Sequence, residues 1–214
     1  MWRPKLILNQ WMTHRPTAKQ AAFLSLDHLE ALYGGAAGGG KSDAMLMAAL
    51  QYVDVPHYAA ILFRRTYADL ALPGALMDRA GEWLHSTAAK WNSGTKTWTF
   101  PSGATISFGY LERDADKYRY QGAEFQMVGF DELTQFQETS YRYLFSRLRR
   151  LEGSEVPLRM RGASNPGGEG HQWVYERFIV GGRESGRLFI PAGIDDNPHI
   201  DKAEYLRSLS ELDE

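Results

Sequence analysis

The sequence predicts an α/β fold in which a largely parallel central sheet is flanked by helices. Two observations support this prediction. Short apolar runs typical of buried strands alternate with longer amphipathic segments typical of helices, and a glycine-rich loop joins the first such strand to the next helix. Strands that alternate with helices pair in parallel, because each helix carries the chain back to the same end of the sheet. The length of 214 residues suits one domain, or one domain with a small appendage.

The elements in the first half of the chain follow from local signals. Residues 1–16 are expected to be irregular, and Thr17 is placed to cap a helix that runs to about Leu26. The further predictions are a strand at 28–33, a helix from Ser42 to about Tyr52, a buried strand at 58–63 and a helix at 75–90.

In the second half, residues 97–100 and 104–110 alternate with the period of a strand, and the turn signal at 101–103 between them predicts a hairpin. A helix is predicted at 138–151 because four large apolar side chains would share one face. These side chains are Tyr141, Leu144, Leu148 and Leu151. The other predictions are strands at 125–130, 158–162 and 187–190 and a short helix from Ala203 to Leu209.

Composition limits the classes of function. The chain is 43% hydrophobic and 13% aromatic, which is enough for a sizeable core. The lack of cysteine excludes disulfides and cysteine-ligated zinc. No apolar run approaches the roughly 18 residues of a membrane span, so no membrane partner is expected. The formal net charge of −2 means that any surface for nucleic acid must be local.

A phosphate-binding loop is predicted at residues 35–42, because they fit the pattern G-x-x-x-x-G-K-[ST] between a strand and a helix. Glycines let backbone N–H groups turn towards phosphate oxygens, and the start of the helix adds partial positive charge. Lys41 would meet the β- and γ-phosphates of ATP, and the Ser42 hydroxyl would ligate Mg²⁺. The residues expected to contact nucleotide are Gly35, Ala36, Ala37, Gly38, Gly39, Gly40, Lys41, Ser42 and Asp43. The alternative is a flexible glycine turn before a helix.

An acidic pair, Asp131 and Glu132, ends the predicted strand 125–130. A strand end places both carboxylates at the edge where ligands bind in parallel α/β sheets. Asp131 is predicted to hold Mg²⁺, and Glu132 to polarise the water that attacks the γ-phosphate. Adjacent acids also occur at strand ends as solvated charges or helix caps. A glutamate directly after the aspartate favours an ATPase of the motor type over a kinase-like or GTPase protein.

Two amide side chains complete the predicted site. Asn165 follows the strand at 158–162 and could touch the γ-phosphate or the attacking water, although an ordinary Asn-Pro turn is the alternative. Gln20 could donate to and accept from the edge of adenine at once, although it could equally be a surface glutamine on an N-terminal helix.

Four motifs now stand in one order: PTAKQ (16–20), GAAGGGKS (35–42), VGFDE (128–132) and GASNP (162–166). This order resembles the large terminases of tailed bacteriophages, where the motifs are an adenine-reading motif, Walker A, Walker B and a coupling motif. The more specific strings are LFRRT (62–66), YQGAEFQMVGFDELTQF (120–136), NPGGEGHQWVYERF (165–178) and DDNPHIDKAEYLRSL (195–209). The resemblance covers most of the chain from about residue 15.

The resemblance implies a P-loop NTPase fold of the additional-strand, RecA-like type. It divides the chain into an ATPase core at 1–170 and a small lid or linker subdomain at 171–214. A nuclease domain is expected beyond the chain end. No later acidic cluster is present to serve it, so we expect no nuclease activity from these residues.

The resemblance also implies a function. ATP hydrolysis would drive double-stranded viral DNA into a procapsid, in the host cytoplasm. The implied partners are this DNA, the portal protein, the small terminase subunit and further copies of the chain in a ring, whereas the isolated chain could be monomeric.

The resemblance implies an arginine finger that reaches a neighbour's nucleotide. Many relatives carry it directly before the glycine that corresponds to Gly122, where this sequence has Gln121. Arg119 is the first candidate, and Arg147 and Arg149 are the alternatives; Arg119 could instead pair with a neighbouring aspartate.

An arginine-rich stretch is the candidate surface for DNA phosphates. Its members are Arg142, Arg147, Arg149, Arg150, Arg159 and Arg161. Arg142 and Arg149 would share a helix face, and a solvated helix face is the alternative.

Two rival functions stay open. One is a helicase or remodelling ATPase, which would need a second RecA-like domain. The other is a nucleotide-gated binding module, which would not need Glu132.

Overall fold

The computed structural model describes residues 6–210. The strands in this part are β1 Glu30–Gly35, β2 Ala59–Arg64, β3 Lys90–Asn92, β4 Thr97–Thr99, β5 Thr105–Tyr110, β6 Met127–Asp131, β7 Arg159–Ser164 and β8 Arg187–Ala192. The helices are α1 Ala18–Leu24, α2 Lys41–Leu50, α3 Tyr67–Ala71, α4 Leu76–Leu84, α5 Glu138–Phe145, α6 His171–Tyr175 and α7 Lys202–Ser210. Residues 1–5, which begin the segment predicted to be irregular, and residues 211–214 lie outside the described range.

The eight strands form one sheet in the order β3-β4-β5-β2-β6-β7-β1-β8. The six strands from β5 to β8 in this order run parallel, and the hairpin strands β3 and β4 pair antiparallel at one edge. The strand β7 lies between β1, which leads into the phosphate loop, and β6, which ends at Asp131. The predicted α/β fold is confirmed, and β7 is its additional strand, inserted between β1 and β6.

Helices cover both faces of the sheet, which explains why its central strands are continuously apolar. In β2, Ala60 and Leu62 face one hydrophobic cluster while Ile61 and Phe63 face the other. The helix α2 lies deep in the first cluster, and every residue from Ala44 to Leu50 is buried. The helix that follows the phosphate loop is therefore fixed by packing along most of its length.

The helix predicted at 75–90 is shorter in the structure. The helix α4 ends at Leu84, and residues 90–92 form β3, which pairs with β4. The ring of Trp91 packs on that of Trp98 across this pair, with centroids 5.3 Å apart. Cross-strand packing of two large aromatic side chains outweighs the helix preference of Ala88 and Ala89, because helix propensity contributes only fractions of a kcal/mol per residue.

The helix predicted at 138–151 was also too long. The helix α5 ends at Phe145, and Leu148 instead forms a parallel bridge with Phe125. The backbone N–H of Phe125 donates to Arg147 O at 2.9 Å, and that of Arg149 donates to Phe125 O at 3.0 Å. Arg142 and Arg149 therefore do not share a helix face, and that prediction was wrong.

Two members of the predicted arginine surface lie inside the protein. Arg159 and Arg161 are each 1% exposed. Arg159 donates to Ala48 O near the end of α2 and to the Gln51 side chain. Arg161 donates to the carbonyls of Leu26, His28 and Leu29 after α1. Arg159 satisfies a carbonyl at the end of α2, where positive charge is favourable, and Arg161 satisfies carbonyls of the loop between α1 and β1. Neither side chain therefore belongs to a DNA-binding surface.

The strand β8 lies within the segment 171–214 that was expected to form a lid, yet it pairs with β1 along its full length. The sheet therefore extends into this segment, while the division at residue 170 stays a prediction. The short helix predicted near the C-terminal end is present as α7. Among residues 6–210, no helix is long and apolar enough to cross a membrane.

A buried ionic cluster joins four elements at the start of β1. The Glu30 carboxylate accepts from Arg177 at 2.7 and 3.1 Å, from Arg187 at 2.8 Å and from the Tyr141 hydroxyl at 3.0 Å. Burial alone would raise the pKa of Glu30, but the hydrogen bonds from both arginines outweigh it and lower the pKa. The cluster ties β1 and β8 to α5 and to the π-helical turn Glu176–Val180.

We expect Glu30→Gln to destabilise the protein by about 3 kcal/mol, because the largely buried Arg187 would lose its carboxylate partner and Arg177 would keep only its longer contact with Glu138, at 3.6 Å. Since folding lowers the pKa of Glu30, its contribution is present above the unfolded-state pKa and is lost as pH falls through the folded-state value. Urea unfolding between pH 7 and pH 3 should therefore show the wild-type stability converging on that of the variant at acidic pH. A constant difference over this range would contradict the assignment.

Candidate functional site

The phosphate loop leaves β1 at Gly35 and enters α2 at Lys41. Gly38 and Gly40 have φ values of 75° and 71°, which favour glycine. A Cβ atom at Gly40 would also lie only 2.8 Å from Nε2 of Gln20. The glycines of the motif are therefore required by the backbone path and by close packing.

Three side chains hold three successive carbonyl groups of this loop. Asn197 Nδ2 donates to Gly38 O at 2.8 Å, the Tyr33 hydroxyl to Gly39 O at 2.9 Å and Gln20 Nε2 to Gly40 O at 2.9 Å. In a trans peptide the N–H group points opposite to the carbonyl. Fixing these carbonyls therefore turns the N–H group of each following residue to the opposite side of the loop, and a binding site for an anion requires N–H groups directed in this way. The sequence did not predict Tyr33 or Asn197 as loop supports.

A cavity of about 360 Å³ opens on the loop. Its wall includes loop residues Gly38 to Asp43 together with side chains from distant parts of the chain. These are Arg79, Glu132, Asn197, His199 and Ile200. The structure thus brings the loop and Glu132 of the acidic pair to one cavity, as the sequence predicted from the ends of parallel strands.

The Lys41 side chain connects the loop to the end of β7. Its Nζ donates to Asn165 Oδ1 at 2.7 Å and to Ala36 O at 3.0 Å. Burial lowers the pKa of Lys41, while the nearby carboxylates of Glu132 and Asp131 oppose that change. Asn165 is in turn fixed through its carbonyl, which accepts from the Thr134 hydroxyl at 3.2 Å. Asn165 is thus more than a turn residue, because it contacts the predicted catalytic lysine directly.

Asp131 ends β6 and is 1% exposed. Its Oδ2 accepts from Arg64 Nε at 2.6 Å, whereas its Oδ1 is buried and has no hydrogen-bond partner within residues 6–210. Burial raises the pKa of the Asp131 carboxyl, and the charge of Arg64 opposes the rise. Arg64 was not predicted from the sequence, because its contact with Asp131 depends on the pairing of β2 with β6 in the sheet.

Glu132 follows directly, with the left-handed backbone angles φ 55° and ψ 56°. A non-glycine residue in this region is uncommon and persists where its surroundings fix it. The turn redirects the Glu132 side chain to the cavity wall, where one carboxylate oxygen lies 3.5 Å from the backbone nitrogen of Asn165. Adjacent residues of the acidic pair therefore have different surroundings, one fully buried and one facing the cavity.

Gln20 has a different environment from the one its predicted role requires. It is 2% exposed, and its Oε1 accepts from Thr17 N at 2.9 Å within a helix capping box. Its Nε2 is bound to Gly40 O, as described above. Both ends of the amide are thus engaged by the protein. Adenine reading by Gln20 stays a prediction, whereas the geometry makes this side chain a support of the phosphate loop.

Asp43 lies in the first turn of α2, and its carboxylate is flanked by two basic side chains. Arg79 NH1 is 2.7 Å from Oδ1, and His14 Nε2 is 3.2 Å from Oδ2. Neither Arg79 nor His14 was predicted from the sequence, because both reach this position by packing of distant segments.

A family model described as terminase large subunit, T4likevirus-type, N-terminal, matches residues 32–178. The match covers more than half of the chain and includes the phosphate loop, the acidic pair and Asn165. The chain belongs to the terminase large subunit family. The resemblance recognised in the sequence motifs is confirmed.

Solved terminases share the fold of this terminase chain. The large terminase of a thermophilic bacteriophage aligns with a TM-score of 0.70 and 17% sequence identity, over 91% of this chain and 50% of that chain. The same thermophilic-phage protein in complex with ATP-γ-S aligns at 0.69 and 20% identity, over 90% and 48%. The large terminase ATPase domain of Thermus phage P74-26 aligns at 0.57 and 12% identity, over 96% of both chains. This terminase chain therefore spans about half the length of the thermophilic-phage protein. A search of curated proteins finds no match.

Arg119, the first candidate for the arginine finger, lies on the 3₁₀ segment Asp114–Tyr120. The Arg119 side chain is 54% exposed, forms an ion pair with Asp116 at 3.0 Å and stacks over the Tyr110 ring at 5.3 Å. The alternative pairing of Arg119 with a neighbouring aspartate is therefore present. The Asp116 carboxylate is only 11% exposed, but solvent screens the pair from the side of the guanidinium, so the free energy of the pair is modest, about 1 kcal/mol.

Proposed function

We propose that this terminase chain hydrolyses Mg²⁺-bound ATP and that hydrolysis powers translocation of double-stranded viral DNA into a procapsid. The observation that carries the proposal is the meeting of Lys41 and Glu132 at one cavity on the phosphate loop, with Asn165 in contact with both, in a chain of the terminase family. The thermophilic-phage terminase has been crystallised with ADP and with ATP-γ-S, which supports a nucleotide as the ligand of this fold.

The residues present fit a magnesium ion. Asp131 Oδ1 is a buried carboxylate oxygen with no hydrogen-bond partner in the described part of the chain, and such oxygens are preferred ligands of hard cations. Ser42 lies in the first turn of α2, on the wall of the cavity that Glu132 also lines, and would supply the hydroxyl ligand. Bound by Ser42 and Asp131, Mg²⁺ would neutralise charge on the β- and γ-phosphate oxygens.

The protein's own groups would then divide the work of hydrolysis. Lys41 would exchange its neutral acceptors, Ala36 O and the Asn165 amide, for phosphate oxygens. Glu132 would orient the attacking water and accept its proton, because its carboxylate faces the cavity. Asn165 would respond to the presence of the γ-phosphate, since it contacts Lys41 through its side chain and lies 3.5 Å from Glu132 through its backbone.

The wider role is proposed from the family. The partners would be double-stranded DNA, the portal protein and the small terminase subunit, with several copies of this chain in a ring in the host cytoplasm. The ATPase core would be residues 1–170 and the lid residues 171–214. The hydrogen bond from Asn197 to the phosphate loop supports a role for the second segment at the nucleotide site.

We expect Lys41→Ala to weaken Mg·ATP binding by roughly 10- to 100-fold, which is the usual range for losing charge-assisted hydrogen bonds of about 1.5–3 kcal/mol. The variant should also lose steady-state hydrolysis, because Lys41 is the cation placed to meet the β- and γ-phosphates. Calorimetric titration and phosphate release measure the two effects.

The matched control is Lys90→Ala, which removes an exposed lysine from the edge strand β3. Wild-type and control proteins should hydrolyse ATP faster when duplex DNA is added. Normal turnover by Lys41→Ala would overturn the proposal. ATP binding by the wild type without turnover, with or without DNA, would favour a nucleotide-gated binding module.

A further inference from the structure

Arg79 on α4 lines the same cavity as the phosphate loop, although it belongs to no motif. One guanidinium nitrogen, NH1, is fixed by Asp43 at 2.7 Å, while Nε is buried without a hydrogen-bond partner within residues 6–210. The side chain is 33% exposed. Its charge and planar group are therefore held at the cavity wall with hydrogen-bonding capacity left over.

The two ends of the cavity differ in charge. At the Lys41 end, the ammonium group donates only to an amide oxygen and a backbone carbonyl, so its charge can attract phosphate. At the Arg79 end, the guanidinium is neutralised by Asp43. The other oxygen of the Asp43 carboxylate is bonded to His14, so among the described residues this end of the cavity holds an ion pair with no cation left open for phosphate. This end of the cavity therefore suits the uncharged part of a nucleotide.

The direction of the triphosphate leads to the same conclusion. Glu132 and Lys41 mark the γ-phosphate end, and Ser42 follows along the first turn of α2. A triphosphate that runs along this turn leaves its nucleoside beyond Ser42, where Arg79 and His199 line the wall. Guanidinium and imidazole planes both stack on nucleobases.

We propose that Arg79, oriented by Asp43, binds the base and ribose of the nucleotide opposite His199. This inference rests on the proposed function and assigns recognition of the nucleoside to a residue outside the sequence motifs. Gln20 then acts at the phosphate end of the site, because its amide nitrogen donates to Gly40 O in the phosphate loop and is not directed to a nucleobase.

The test compares a nucleotide with its phosphate chain alone. Calorimetry with Mg²⁺ gives Kd values for ATP and for inorganic tripolyphosphate, using the wild type, Arg79→Met and a control, Arg183→Met, on an exposed turn. We expect Arg79→Met to weaken ATP binding about tenfold and to leave tripolyphosphate binding within about twofold. Equal weakening of both ligands would overturn the proposal, because Arg79 would then act on phosphate or on the loop. Unchanged ATP binding would also overturn it.

A second variant distinguishes nucleotide binding by Arg79 from a structural role of its ion pair, which joins α4 to α2. Arg79→Lys retains a positive charge near Asp43 but lacks the planar guanidinium. ATP binding should stay weak in this variant while its melting temperature stays close to that of the wild type. Full recovery of ATP binding would show that Arg79 serves only as a brace. Lys41→Ala must weaken binding of both ATP and tripolyphosphate. If it does not, the proposed function is wrong, whereas the results with the Arg79 variants decide this inference alone.

Discussion

A ring assembled from Arg119→Ala subunits and Glu132→Gln subunits should recover ATP hydrolysis that neither variant shows alone. Lys41 is the cation of the phosphate loop, whereas the transition state spreads charge over several γ-oxygens. An arginine from a neighbouring subunit would complete the site and is worth about 10³–10⁵ in rate. In the mixed ring, the Glu132→Gln subunit supplies an intact Arg119 to a neighbour whose own Glu132 is intact.

Phosphate release from procapsid-bound motors at several mixing ratios measures this recovery. Arg113→Ala is the matched control, because Arg113 is exposed and directly precedes the 3₁₀ segment that carries Arg119. Full activity of Arg119→Ala by itself in the assembled motor would eliminate Arg119. Arg147, which lies over the Tyr143 ring at 5.6 Å, would then be tested in the same way, followed by Arg149.

Glu132→Gln should leave Mg·ATP binding nearly intact while turnover falls by roughly 10²–10⁴-fold, the usual contribution of a general base. Glutamine keeps the size of the side chain but cannot accept the proton of the attacking water. Binding should persist because, in the proposed site, Lys41 and the loop N–H groups would hold the phosphates independently of Glu132.

Single-turnover hydrolysis and calorimetry together measure both parts of this expectation. Glu124→Gln is the control, because Glu124 is an exposed glutamate that precedes β6, whereas Glu132 follows it. Loss of binding with an unchanged residual rate would show that Glu132 supports the structure and has no role in the chemistry.

The sequence was informative wherever a function depends on residues that are close together in the chain. The phosphate loop and the acidic pair could be placed at the carboxyl ends of strands, because glycine runs, Lys-Ser and Asp-Glu directly follow apolar segments. The parallel sheet then had to bring them to one edge. Arg64 and Arg79 could not be found in this way, since each meets its carboxylate partner only through tertiary packing.

The errors in secondary structure have a related cause. Residues 146–151 have a helical pattern, but the chain leaves α5 because residues 147–149 form backbone hydrogen bonds with Phe125. Likewise, Arg159 and Arg161 were predicted to be basic surface residues because the buried carbonyl groups that they bind, at the end of α2 and in the loop after α1, are not evident from the sequence. Local patterns do not encode such long-range partners, and the hydrogen bonds they supply outweigh a modest local preference.

The position of β7 has a mechanical consequence. This strand is attached to α2 near both ends of the helix: the amide of Asn165 receives a hydrogen bond from Lys41 at the first turn, and Arg159 donates to Ala48 and Gln51 at the last. Two anchor points at opposite ends of a helix prevent it from pivoting against the strand. The proposed exchange of Asn165 for phosphate oxygens would release the first anchor and keep the second. Nucleotide binding would then let the first turn of α2 move against the end of β7 while the last turn of the helix stays attached to the strand.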